Sequence, residues 1–144
     1  MKVLEVAKSQ IGVRELTGNN DGVAVEKYLK SVGLGKGYAW CMSFVYWCCK
    51  ESYPINPLVR TGGVLREWNE TTLRKVTKPV VGSIFIMDFG QGKGHTGFVT
   101  GINGTKITTI EGNTNVGGSR DGIGVFARER NINTIKGYIL LPNE

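Results

Sequence analysis

The second half of the chain holds strand-like runs that follow one another with no helical pattern between them. Residues 80–87, 97–102, 105–110, 123–127 and 137–141 are rich in branched side chains and are separated by glycine-rich turns. Parallel strands need crossovers of a dozen or more residues, usually helical, so these runs point to an antiparallel sheet. The first half has a helical period instead. Val3, Leu4, Ala7 and Ile11 share a face of a helix over residues 3–11, with Gly12 as its stop. The turn formers of residues 17–22 follow, with Asn20 or Asp21 as the N-cap of a helix over 23–31 that buries Val25, Tyr28, Leu29 and Val32. A further helix starts at Cys41, and Pro54 and Pro57 interrupt regular structure after it. Val64, Leu65 and Trp68 then give a short helix with Trp68 in the core. Helices first and strands afterwards predict an α+β fold, N-terminal helices packed on a C-terminal antiparallel sheet. At 144 residues this is most simply one domain spanning 1–144.

Composition narrows the function classes. Apolar runs such as 44–49 and 84–87 fall far short of the roughly 20 residues of a membrane span. The N-terminus, with Lys2, Glu5 and Lys8, lacks the apolar region of a secretory signal, so synthesis in the cytoplasm without a signal peptide is expected. The net charge of +6 favours anionic polymers. The basic residues are dispersed and form no nucleic-acid motif, so nucleic acid is not the expected partner. Cys41, Cys48 and Cys49 are odd in number and clustered, unlike a disulfide framework. The one histidine is remote from them, so no metal site is expected.

Cys41 opens an aromatic-rich helix whose Phe44, Val45 and Cys48 recur at spacings of three, four and seven. A helix N-terminus favours thiolate over thiol, which makes Cys41 a candidate nucleophile. Free cysteines are also among the most buried residues, and packing alone accounts for one here. Thiol acyl transfer needs an imidazole to move protons and an acceptor to orient it. His95 heads one strand, and Glu111, Asn113 and Asn115 end the next. Their register decides whether they meet. A two-residue turn at Asn103-Gly104 would set His95 and Glu111 on opposite faces of the sheet. A three-residue loop of Ile102, Asn103 and Gly104 pairs Gly101 with Thr105 and sets His95 opposite Glu111. The three-residue loop, or another odd offset, is the expectation, with both side chains on the face that the Cys41 helix covers.

Taken together, residues 7–15, Lys27-Tyr28-Leu29, Trp40-Cys41, Gly82-Ser83-Ile84, Gly94-His95-Thr96-Gly97 and Glu111-Gly112-Asn113 resemble the CHAP amidases and endopeptidases. These are papain-like, NlpC-related enzymes of phage endolysins and bacterial cell-wall hydrolases. The resemblance implies a papain-like CHAP fold and cleavage of a peptidoglycan amide bond, by an N-acetylmuramoyl-L-alanine amidase or a peptide endopeptidase. Cys41 would be the nucleophile, His95 the general base and then acid, and Glu111 its orienting group, with Asn113 sharing that role. The Cys41 N–H and a further donor would hold the oxyanion, with Tyr38 and Trp40 as candidates for oxyanion or substrate contact. The calcium-binding acidic cluster of some relatives is not evident before Cys41, and no cofactor is expected. Position 83 is Ser where relatives usually have Asp. The resemblance further implies a monomeric phage lysin or delivered effector acting on the wall, with a holin for release or an immunity protein as possible partners. The rival is an inactive cell-wall or protein-binding module on the same fold; a cysteine enzyme for another amide shares the residues and differs only in substrate.

Overall fold

The computed structural model describes residues 1–114 and 123–143; Asn115 lies outside them. Among the described residues four α-helices, α1 (Lys2–Ser9), α2 (Val23–Ser31), α3 (Cys41–Ser52) and α4 (Val64–Glu70), precede six strands. These are β1 (Lys75–Val76), β2 (Ile84–Gly90), β3 (Lys93–Asn103), β4 (Lys106–Thr114), β5 (Gly124–Asn131) and β6 (Gly137–Ile139). All pairs are antiparallel, and the strands lie in the order β1-β6-β2-β3-β4-β5. The α+β arrangement is the one the order of helical and strand-like runs predicts. No helix among the described residues is long and apolar enough to cross a membrane.

Helix α3 is the centre of the packing. It buries Met42, Phe44, Val45, Cys48 and Cys49 completely, which leaves only Tyr46, Lys50 and Glu51 toward solvent. A helix apolar nearly all round must be enclosed, and α1, α2, β3 and β4 enclose this one. Burial pushes the Cys48 thiol well above its usual pKa, so it packs as a neutral group. Tyr28 of α2 stacks on Trp40 at 5.6 Å and meets Phe44 and Trp47 at 5.2 and 5.1 Å. Trp68 packs against the same core, where a Cβ at Gly137 would lie 2.5 Å from its ring.

Two helix ends differ from expectation. Helix α1 stops at Ser9 and leaves Ile11 44% exposed. The N-cap of α2 is Gly22, neither Asn20 nor Asp21. Asp21 accepts instead from the Thr17 N–H at 2.9 Å and the Thr17 hydroxyl at 2.5 Å, closing the preceding turn on itself. The Glu26 carboxylate, one turn into α2, accepts the Gly22 N–H at 2.9 Å and so supplies a partner for the backbone donor at the N-cap.

The β3–β4 hairpin also departs from its expected form. Asn103 pairs with Lys106, so the loop is the two-residue Gly104-Thr105, and Gly101 pairs with Thr108. Gly104 supplies the positive φ, +63°, that such a turn needs. A bulge between Val99 and Gly101 then shifts the register by one residue. Beyond it Phe98 pairs with Ile110, which sets Gly97 level with Glu111 and puts His95 one diagonal away on the same face. The predicted loop is wrong, yet the bulge restores the parity it was meant to supply. That shared face is not the one α3 covers. Ile84, Ile86, Phe98 and Ile110 point into the helix core, while Phe85, Met87, Val99 and Ile107 form a second cluster on the other side. His95 belongs with the second set, its ring 6.1 Å from Phe85. Cys41 meets it because it is the first residue of α3, at the end of the sheet where β2 and β4 finish and β3 begins.

Candidate active site

The position of Cys41 is fixed from the residue before it. Trp40 is wholly buried, and its indole N–H donates to Glu15 Oε2 at 2.7 Å. Its backbone N–H donates to Asn113 Oδ1, also at 2.7 Å, and its carbonyl accepts the first helical bond, from Phe44. Asn113 makes this contact from a left-handed backbone, φ +56°, which asparagine tolerates better than most residues. Side chains on both sides of the fold therefore clamp the start of α3. Trp40 serves by position, its ring having no route to a substrate. Asn113 gives its carbonyl oxygen to that clamp, whereas the sequence suggested a share in orienting His95. Tyr38 is 57% exposed and does not line the cleft described below.

His95 Nε2 lies 2.7 Å from Glu111 Oε1. A carboxylate only accepts, so Nε2 carries the proton and Nδ1 is left for the Cys41 side chain. Glu111 has no exposed surface, and its remaining acceptor positions are filled. Thr109 donates its hydroxyl to Oε2 at 2.7 Å, and Arg130 grips both oxygens, Nε to Oε2 at 2.9 Å and Nη2 to Oε1 at 2.5 Å. Burial works against the Glu111 carboxylate, but the hydrogen bonds and charges of Arg130 and His95 hold it well below the usual range. Burial likewise disfavours protonated His95; hydrogen bonds to Cys41 and Glu111, and their charges, overcome this and push it up to about 9. Glu111 thus stays charged and His95 is a strong proton acceptor.

Cys41 and His95 open into a cleft of about 1040 Å³ that Asn20, Gly63, Phe89 and Arg128 also line. Among the described residues no group of three or more His, Cys, Asp and Glu side chains is placed to hold a metal. The arrangement has the parts for acyl transfer to sulfur: a thiol at a helix N-terminus, an imidazole beside it and a buried carboxylate behind the imidazole.

Glycine 97 makes room for the carboxylate. A Cβ there would lie 2.7 Å from the Ile110 carbonyl, 2.8 Å from Glu111 Cγ and 2.8 Å from Phe85 Cε2. Gly97→Ala is expected to displace Glu111 and cost roughly 1–3 kcal/mol, a lower denaturation midpoint by chemical unfolding. Unchanged stability would show that the strand yields freely there.

Arg130, Thr109 and Glu15 were not singled out in the sequence. Arg128 and Arg130 alternate along a strand, so both point to one face, and that face is the one shared by Thr109 and Glu111 through the pairing Thr109 with Arg128. Parity was available as a signal; the strand pairing that gives it meaning was not.

The family model described as the CHAP domain matches residues 33–113. Among solved structures, the chain is similar to the wild-type endolysin LysIME-EF1, with a TM-score of 0.65 and 18% identity over 99% of this chain and 63% of that one. It is also similar to Ly7917, with a TM-score of 0.57 and 16% identity over 96% of this chain and 60% of that one. Ly7917 with the hydrolyzing product of MDP gives the same TM-score and identity over 96% and 61%. The chain spans about three fifths of the length of these structures. At such identities the likeness is one of fold, and it agrees with the expected CHAP architecture. No curated protein matches the chain in sequence.

Proposed function

Since the chain belongs to the CHAP domain family, we propose that it is a cysteine-dependent peptidoglycan hydrolase cutting an amide bond, with the site contained in a single domain of residues 1–144. The observation that carries this reading is the Cys41–His95–Glu111 arrangement at the floor of an open cleft. The Cys41 thiol gives its proton to His95 Nδ1, and the sulfur attacks the carbonyl carbon of the bound amide. The oxyanion is met by the Cys41 backbone N–H, in the first turn of α3 where amide hydrogens have no helical acceptor. His95 passes its proton to the leaving nitrogen, the C–N bond breaks and a thioester remains. Water, losing its proton to Nδ1, attacks the thioester, releasing a carboxylic acid and restoring the thiol. Glu111 holds the imidazole in the one tautomer that these steps need and stabilises its charged form.

The similarity to the endolysin LysIME-EF1 supports the bacterial wall as the place of action and peptidoglycan as the substrate, and a phage lysin or a delivered effector as the biological setting. Digestion of purified peptidoglycan, with mass analysis of what is released, tests it. New amino termini of alanine with free lactyl ends would identify an amidase, and cut stems or cross-bridges an endopeptidase. No fragments from several wall types would overturn the reading in favour of an inactive binding module.

Arg130 acts in this scheme as a positioning residue, through Glu111. Arg130→Met removes the cation that lowers the Glu111 pKa, so protonation of Glu111 begins at higher pH. The acidic limb of the kcat profile should move up, and Arg130→Lys should recover part of the shift because it returns the charge without the fork. An acidic limb that stays in place in Arg130→Met would show that Arg130 serves packing alone.

A further inference from the structure

A second groove lies away from the thiol. Lys27, Lys30 and Ser31 of α2, Tyr46, Trp47 and Lys50 of α3, and Arg60 line a hollow of about 500 Å³ with no carboxylate among them. Lys50 is nine residues further along α3 than Cys41, about 13 Å at the helical rise. Lys27 and Lys30 stand three apart on one helix, where like charges repel, so four cations converge with no carboxylate among the described residues that line the groove. Two are already held in place. Arg60 Nε donates to the Ser31 carbonyl at 3.0 Å, and Lys27 Nζ sits 4.5 Å above the Trp47 ring.

We propose that this groove binds a phosphodiester-linked polyol polymer of the bacterial wall, which would hold the hydrolase at its substrate. The cations match phosphates spaced along a chain, Arg60 by its planar fork and the lysines as compact charges. The half-buried ring of Tyr46 suits the carbon stretches between phosphates. A nucleic acid fits less well, because base stacking needs an open aromatic face. Trp47 is only 7% exposed, and Lys27 covers its ring. The choice of a wall polymer rests on the peptidoglycan reading above; the anion chemistry of the groove does not.

The test measures binding of the purified chain to poly(glycerol phosphate) across a salt series, alongside digestion of peptidoglycan stripped of such polymers. Wild type should bind, with affinity falling as salt rises. The Lys27→Gln/Lys30→Gln/Lys50→Gln variant should lose at least about 10-fold in affinity while digesting stripped peptidoglycan at the wild-type rate. The Lys30→Gln/Lys50→Gln double variant, which keeps Lys27 on Trp47, serves if the triple fails to fold, and should lose several-fold. A control neutralising Lys78, Lys106 and Lys136, outside the groove, should bind nearly as wild type. An equal loss in that control would show a net-charge effect and overturn the site, as would tighter binding of a single-stranded RNA of matched charge. Binding as expected without any digestion would sink the hydrolase reading and leave the groove standing.

Discussion

Replacing Cys41 with alanine is expected to lower the release of peptidoglycan fragments by on the order of 10⁴-fold or more while leaving the fold in place. Removing the sulfur removes the atom that forms the thioester, and neither of the other two cysteines can substitute. Cys48 is fully buried, with its thiol held neutral, and Cys49 is fully buried beside it. The fold should survive because the thiol is not what anchors the start of α3. Trp40 is fixed by Asn113 at its backbone N–H and by Glu15 at its indole, and both contacts remain in the variant. Cys41 also interacts with His95 as one of the groups that raise its pKa, so the variant's imidazole should titrate lower than the wild type's. The measurements are fragment release by mass analysis, the melting temperature, and the His95 titration by proton resonance. Turnover within about 10-fold of wild type would place the nucleophile elsewhere.

How far this site could be read before the structure depended on the range of the interactions involved. The helix over residues 23–31 and the buried face of α3 were legible because their signal is periodic and local. The cap of α2 was not, since Asp21 had a nearer partner in Thr17 and two local hydrogen bonds outcompete a cap. The hairpin shows a compensation that sequence hides. Gly104 announced a turn, but nothing in Val99-Thr100-Gly101 distinguished a bulge from regular strand, and turn and bulge together decide the parity of His95 and Glu111. Placing that pair on the α3 side assumed that the nucleophile's helix must lie over its partners. The protein instead uses the end of the helix at the end of the sheet, which lets one residue reach across to the far face. Arg130 lies 19 residues after Glu111, two positions on from Arg128, and only the β4–β5 pairing singles it out as the carboxylate's partner.

The Glu111→Gln variant separates geometry from charge at the site. Glutamine is nearly the same shape and can still accept from His95 Nε2, so the imidazole stays oriented, but the negative charge is gone. Turnover is expected to fall on the order of 10²-fold or more, because the His95 imidazolium that protonates the leaving nitrogen loses its counter-ion. The sign of the pH effects follows from the two groups. His95 titrates at 6.5 when free and is pushed up to about 9 in the fold. Its stabilisation is therefore complete below pH 6.5 and is lost as pH rises through about 9. Glu111 is depressed from 4.5, so its contribution is present above that value and is lost on acidification. In Glu111→Gln the alkaline limb of activity should move down from about 9 toward the ordinary histidine value. Arg130, with a side chain only 19% exposed, is left without its carboxylate, and breaking such a pair costs about 3 kcal/mol near neutral pH. The gap in melting temperature between wild type and variant should then be widest between about pH 5 and 6.5 and narrow on both sides, as the wild type loses first one contribution and then the other. An alkaline limb unmoved by the substitution, with a melting gap independent of pH, would show that the carboxylate neither sets the His95 titration nor acts through charge, and the role assigned to Glu111 would have to be given up.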